Sequence, residues 1–130
     1  MIVLDASAAV DWLLQTPPGR RIESRIYSRN ETLHAPHLLD LEVTQVLRRL
    51  VQQGVISARR ADNAIRDLLD LRITRYAHFV LLPRIWQLCQ NFSAYDAANV
   101  VLAEKLGAAL VTRDARLASV PAHAATIELF

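Results

Sequence analysis

From Ser93 to Asp114 the chain reads SAYDAANVVLAEKLGAALVTRD, and this stretch leaves few ways to fold. Ser93 is a favourable helix N-cap, and Asp96 stands three residues on, the spacing of a capping box. Ala97 to Leu106 are mostly good helix formers and mostly apolar. A helix that is apolar on nearly all sides belongs inside a protein, not on its surface. Gly107 supplies the left-handed residue on which helices commonly end. Ala108 to Thr112 is a short apolar run, as expected of a parallel strand covered on both faces. Asp114 follows at the mouth of that strand. One carboxylate therefore opens a buried helix, and another comes just past the end of a buried strand.

The remaining segments alternate in the same way. Met1 to Leu4 reads as a central strand ending in Asp5, and Asp5 or Ser7 caps a helix to about Leu14. Thr16-Pro17-Pro18-Gly19 reads as a breaker, followed by a helix from Arg20 to Ser28 with Ile22 and Ile26 inward and Arg21, Arg25 and Arg29 outward. Thr32 to Ala35 is a short strand stopped by Pro36. Leu39, Val43, Val46, Leu47 and Leu50 give a helix over Leu38 to Gln53, ended by Gly54. Ser57 caps a helix to about Leu71, and Ile73 to Tyr76 forms a strand. Pro83 starts a helix in which Leu82, Ile85, Trp86, Cys89 and Phe92 share a face. Ala115 to Ala118 makes a short helical turn, and Thr126 to Leu129 an edge strand. Strands alternating with helices imply an α/β fold with a mostly parallel sheet. The 130 residues fit one domain, residues 1–130, with a real core.

A hydrophobic fraction of 52% argues against disorder. No apolar run is long enough to span a membrane, and Asp5 and Asp11 interrupt the first apolar stretch, so no signal peptide is expected. A cytoplasmic protein fits these features. Cys89 is the only cysteine, which excludes a disulfide framework within the chain. Lys105 is the only lysine among 15 basic residues; the arginine bias fits phosphate contacts, and equally fits a GC-rich genome.

In an open parallel sheet the ligand site lies beyond the carboxyl ends of the strands. Asp5 and Asp114 fall there. Glu42 leans toward the apolar face of its helix, and Asn99 lies one turn beyond Asp96 on the same side. A carboxylate near apolar surroundings is costly unless it is paired or cation-bound, and no Lys or Arg stands at i+4 to Asp5 or Glu42. Convergence of these acids would favour a divalent cation with oxygen ligands, Mg²⁺ or Mn²⁺. Taken singly, Asp5, Asp96 and Asp114 also read as helix caps and Glu42 as a solvated helix residue. Gly19, Gly54 and Gly107 form neither a GxGxxG motif nor a P-loop, and there is no GxSxG elbow. His34 and His37 have no further Cys or His cluster to complete a zinc site. Trp12 and Trp86 read as packing residues, and the arginine pairs at 20–21, 48–49 and 59–60 as solvated faces.

The opening IVLDASAAV, the APHLLDLEVTQVLRR stretch with Glu42, and YDAANVVLAEKLGAALVTRDARL occur in an order and spacing that resembles the PIN-domain family, specifically VapC-type toxins of bacterial type II toxin–antitoxin pairs. The resemblance implies a Mg²⁺-dependent endoribonuclease on a small α/β/α sandwich, with Mn²⁺ able to substitute. Its acidic cluster maps to Asp5, Glu42, Asp96 and Asp114, and its hydroxyl residue to Thr112. On this reading Asp5, Asp96 and Asp114 hold the metal, and Glu42 orients water or acts as base. Ser7, Asn99, Thr112 and Arg113 support the ligands or meet substrate. Asn99 stands where some relatives carry a further acid. The resemblance also implies a homodimer and a VapB-like antitoxin reaching into the acidic groove. Apolar surface around Trp12, Ile22 and Ile26 is expected to receive the antitoxin's C-terminal segment. The rival readings are a phosphatase-like or receiver-like domain using Asp5 as nucleophile or phospho-acceptor, and a non-catalytic α/β binding module.

Overall fold

The computed structural model describes all residues, 1–130. Five parallel strands form the sheet in the order β3-β2-β1-β4-β5: β1 is Ile2–Leu4, β2 Leu33–Pro36, β3 Ile73–Tyr76, β4 Ala109–Thr112 and β5 Thr126–Leu129. Seven helices surround it: α1 (Ala6–Leu13), α2 (Pro17–Ser28), α3 (Leu39–Gln52), α4 (Ala58–Asp70), α5 (Leu82–Leu88), α6 (Ala94–Leu106) and α7 (Ala115–Ser119). The chain leaves β1 toward β2 on one side and later returns to place β4 on the other. The switch point is therefore the crevice between β1 and β4, which pair Ile2–Ala109, Val3–Leu110 and Leu4–Val111.

Side chains alternate across the sheet and feed two cores. Ile2, Leu4 and Val111 pack with Trp12, Ile22, Leu39, Val43, Leu47 and Leu68 on one face. Val3 and Leu110 pack with Ile85, Leu88, Phe92 and the apolar body of α6 on the other. Helix α6 is buried on nearly all sides, as its composition requires, and ends at Gly107 with φ +59°.

The helix after Leu14 starts earlier than its prolines suggest. Thr16 caps α2 by accepting a bond from the Gly19 amide, and Pro17 and Pro18 fill first-turn positions whose N–H groups would have no helical partner. Gly19 then meets α1 so closely that an added Cβ would lie 1.9 Å from the Asp11 carbonyl oxygen. Gly19→Ala is therefore expected to destabilise the fold by about 1–3 kcal/mol and to lower the melting temperature by several degrees, read by circular dichroism.

Six side chains differ from expectation. Arg25 does not face solvent: its guanidinium binds Glu128 on β5 at 2.9 and 3.0 Å and Glu31 at 2.7 Å, tying α2 to the far edge of the sheet. Leu82 and Trp86 are 51% and 79% exposed, because the buried stripe runs through Leu81, Ile85, Leu88 and Phe92 and places Trp86 off it. Trp12, Ile22 and Ile26 are core residues, not exposed surface. A groove nevertheless opens over Trp12 and Ile26, with the exposed ring of Tyr27 in its lining.

Candidate active site

Asp5 follows β1 directly and sits at the N-cap position of α1, yet its side chain makes no cap bond. Its Oδ2 accepts hydrogen bonds from Thr112 Oγ1 at 2.8 Å and Ser7 Oγ at 2.5 Å, and Oδ1 accepts a longer one from Asn99 Nδ2 at 3.4 Å. Backbone amides fix the two hydroxyls. Arg113 N–H donates to Ser7 Oγ, and Asp114 N–H donates to Thr112 Oγ1. Both hydroxyls thus accept from the β4–α7 turn and donate to Asp5. Asp5, Asn99 and Thr112 are buried. The three groups that hydrogen-bond the Asp5 carboxylate are all neutral, so its charge has no counter-ion.

Asp96 lies in the first turn of α6. The cap bond there runs from the Asp96 amide to Ser93 Oγ, leaving the Asp96 carboxyl free of that role. Burial raises its proton affinity, the Ser93 hydroxyl opposes that, and the charge of Asp5 adds to it. Glu42 is shifted further. Burial first, then the charges of Asp5 and Asp96, lift it from 4.5 to about 7. Asp114 differs: Arg116 binds its carboxylate and holds it below the usual range, and Asp114 also caps α7 through the Arg116 amide.

Asp5, Ser7, Glu42, Asp96 and Asp114 line one groove of about 450 Å³, together with Leu38, Leu41, Gln45 and Tyr95; no lysine or arginine lines it. Asn99 and Thr112 support it from beneath through Asp5. The Arg113 side chain is not part of it. Arg113 binds Asp11 at 2.7 Å and the Phe130 carbonyl, so only its backbone N–H serves the site. Gln45, Tyr95 and Arg116 were missed from the sequence. The i+3 spacing of Gln45 from Glu42 and the adjacency of Tyr95 to Asp96 were available signals. No three acids are gathered closely enough to form a finished metal cage. The chemistry of the donor set nonetheless fits a hard divalent cation: oxygen ligands only, and two carboxyls raised by burial and by neighbouring negative charge.

The family model described as "PIN domain" matches residues 2–122. The chain belongs to the PIN domain family. Among curated proteins, this PIN-domain chain is similar to Ribonuclease VapC9 of Mycobacterium tuberculosis, at 44% identity over 117 residues, covering 90% of this chain and 88% of the relative. Its fold is shared with the solved structure of Mycobacterium tuberculosis VapC20, described as a sarcin-ricin loop cleaving toxin: TM-score 0.69, 14% identity, 92% of this chain and 94% of the other. It is also shared with VapBC2 from Rickettsia felis, solved with a DNA fragment from their promoter: TM-score 0.66, 16% identity, 99% and 98% covered.

Proposed function

We propose that this PIN-domain chain is the ribonuclease toxin of a toxin–antitoxin pair and hydrolyses RNA phosphodiester bonds with a divalent cation, Mg²⁺ or Mn²⁺. The observation that carries this reading is the groove at the β1–β4 switch point, which Asp5, Glu42, Asp96 and Asp114 line and whose lining holds no lysine or arginine. The 44% identity to a protein named ribonuclease VapC9 supports RNA as substrate. Asp5, Asp96 and Asp114 are the residues that would hold the cation. When bound, it supplies charge stabilisation at a phosphoryl oxygen and a more acidic water. Glu42 is assigned to take the proton of the attacking water, because its proton affinity lies nearest neutrality. Ser7 and Thr112 orient Asp5 by donating to it. The groove is open at the surface, which suits a single-stranded loop whose backbone can be splayed into it.

Two observations weigh against the rivals. Lys105 is exposed in the last turn of α6, about 13 Å along the helix from Asp96, so Asp5 lacks the lysine that a receiver-like or phosphatase-like reading wants. A set of caps does not describe Asp5, which caps nothing. A VapB-like antitoxin is supported by the VapBC2 likeness, and the groove over Trp12 and Ile26 is its candidate seat. Phe79, Val80, Leu82 and Trp86, each at least half exposed, are a candidate face for a homodimer. No helix is long and apolar enough to cross a membrane.

The test is cleavage of end-labelled structured RNA by the purified chain. Discrete internal cuts in Mg²⁺ or Mn²⁺, abolished by EDTA, are expected. Cleavage undiminished by EDTA, or a ladder running in from one end, contradicts the proposal.

A further inference from the structure

Among the four acids of the groove, only Asp114 is ion-paired. Burial and neighbouring negative charge raise Glu42 and Asp96, whereas Asp114 is lowered, chiefly by its hydrogen bond to Arg116. Arg116 Nε lies 3.0 Å from each Asp114 oxygen and Nη2 lies 2.5 Å from Oδ2, a guanidinium fork on a carboxylate. Arg116 has no second ion-pair partner, and its side chain is 81% exposed. Its charge also reaches Asp96. The neighbouring cation cannot replace it, because Arg113 is engaged by Asp11 and the Phe130 carbonyl.

We propose that Arg116 is a displaceable internal counter-ion of the acidic groove: it holds Asp114 in the cation-free protein, leaves when a divalent cation takes that carboxylate, and then contacts an RNA phosphate at the rim. This rests on the cation-dependent ribonuclease reading above. An ion pair this exposed is weak, so a divalent cation can displace the side chain at little cost. Asp114 does not swing away with it. Its Oδ1 also accepts the Arg116 backbone N–H at 2.9 Å, which keeps the carboxylate in place as the cap of α7. The released guanidinium stays at the rim, two residues from Asp114, and Asp114 is its only ion-pair partner in the cation-free protein. A polyanion entering the groove supplies the missing partner, and arginine suits a phosphate oxygen pair.

Two measurements on Arg116→Gln and Arg116→Lys test this. The first is Mn²⁺ binding by calorimetry without RNA. Arg116→Gln is expected to bind Mn²⁺ about two- to fivefold more tightly than the wild type, because a competing exposed ion pair is gone. The second is binding of a labelled single-stranded RNA in Mn²⁺, with Glu42→Gln present in every protein to suppress cleavage. Arg116→Gln is expected to weaken binding and to lower the slope of log affinity against log salt by about 0.7, the loss of one phosphate contact. Arg116→Lys keeps a charge and is expected to keep the wild-type slope. Equal Mn²⁺ affinities in wild type and Arg116→Gln overturn the counter-ion role, and equal salt slopes overturn the phosphate contact. Absence of Mn²⁺ binding in the wild type overturns the cation reading itself, and this inference with it.

Discussion

Asp96→Asn is expected to reduce RNA cleavage by at least about 10²-fold while leaving the fold intact, with Asp5→Asn giving a loss as large. Removing one group that stabilises developing charge in a preorganised site commonly costs about 10²–10³ in rate. Asp96→Asn is the cleaner substitution. The α6 cap uses the Asp96 backbone N–H, which the change preserves, so the far-ultraviolet spectrum should not move. Asp5→Asn is less neutral for folding. Oδ2 of Asp5 accepts two hydroxyls and Oδ1 accepts an amide, so an Asn amide group there points a donor at a donor. That change should also lower stability by about 1–3 kcal/mol, the cost of an unsatisfied buried pair. Cleavage near the wild-type rate by either variant, in preparations free of contaminating nuclease, would remove the assignment.

Glu42→Gln should stabilise the cation-free protein at pH 8 and have little effect at pH 4. The sign follows from the folded value lying above the unfolded one, about 7 against 4.5. Below the unfolded value both states are protonated and the group is neutral with respect to stability. As pH rises through 4.5 to 7 the unfolded chain ionises first, so stability falls; above 7 the penalty is complete. Converted directly, the shift is about 3 kcal/mol, and the partial solvent contact of Glu42 reduces it to about 1–2 kcal/mol. Asp96 is raised too and adds a loss of the same sign. Melts in EDTA across this range should show the wild type losing several degrees relative to Glu42→Gln. Parallel curves would mean that Glu42 is solvated and does not face Asp5 and Asp96.

The order of strands and helices was legible because each apolar run carries its own period. The opening run, Leu39 to Leu50, and Ala97 to Thr112 are cases where local pattern and tertiary burial agree. Asp5, Glu42, Asp96 and Asp114 could be nominated because strand ends and helix starts locate the mouth of a parallel sheet. What could not be read depends on contacts distant in sequence. Arg25 looks solvent-facing until Glu128, 103 residues away, meets it. Pro17 and Pro18 look like a stop, yet Thr16 supplies the cap that makes them a helix start. Trp86 falls off the buried stripe because α5 packs through Ile85 and Leu88, in line with Leu81 just before it. The resemblance counts Arg113 among the residues that support the ligands or meet substrate, but its side chain turns away from the groove to Asp11, 102 residues away in sequence. The role of Arg116 is electrostatic and appears only once Asp96 and Asp114 share a groove.

The most direct test of the central claim, that these acids form a cation site and not a set of caps, is a pair of thermal melts at pH 8 without RNA. Wild type and Asp96→Asn are each measured in EDTA and in millimolar Mn²⁺. A cation that binds only the folded state adds about 2.7 kcal/mol at a hundredfold excess over its Kd, which for a chain of this size is a rise of several degrees. The account predicts that rise in the wild type and a much smaller one in Asp96→Asn. A wild-type melting temperature that is the same in Mn²⁺ and in EDTA would contradict it.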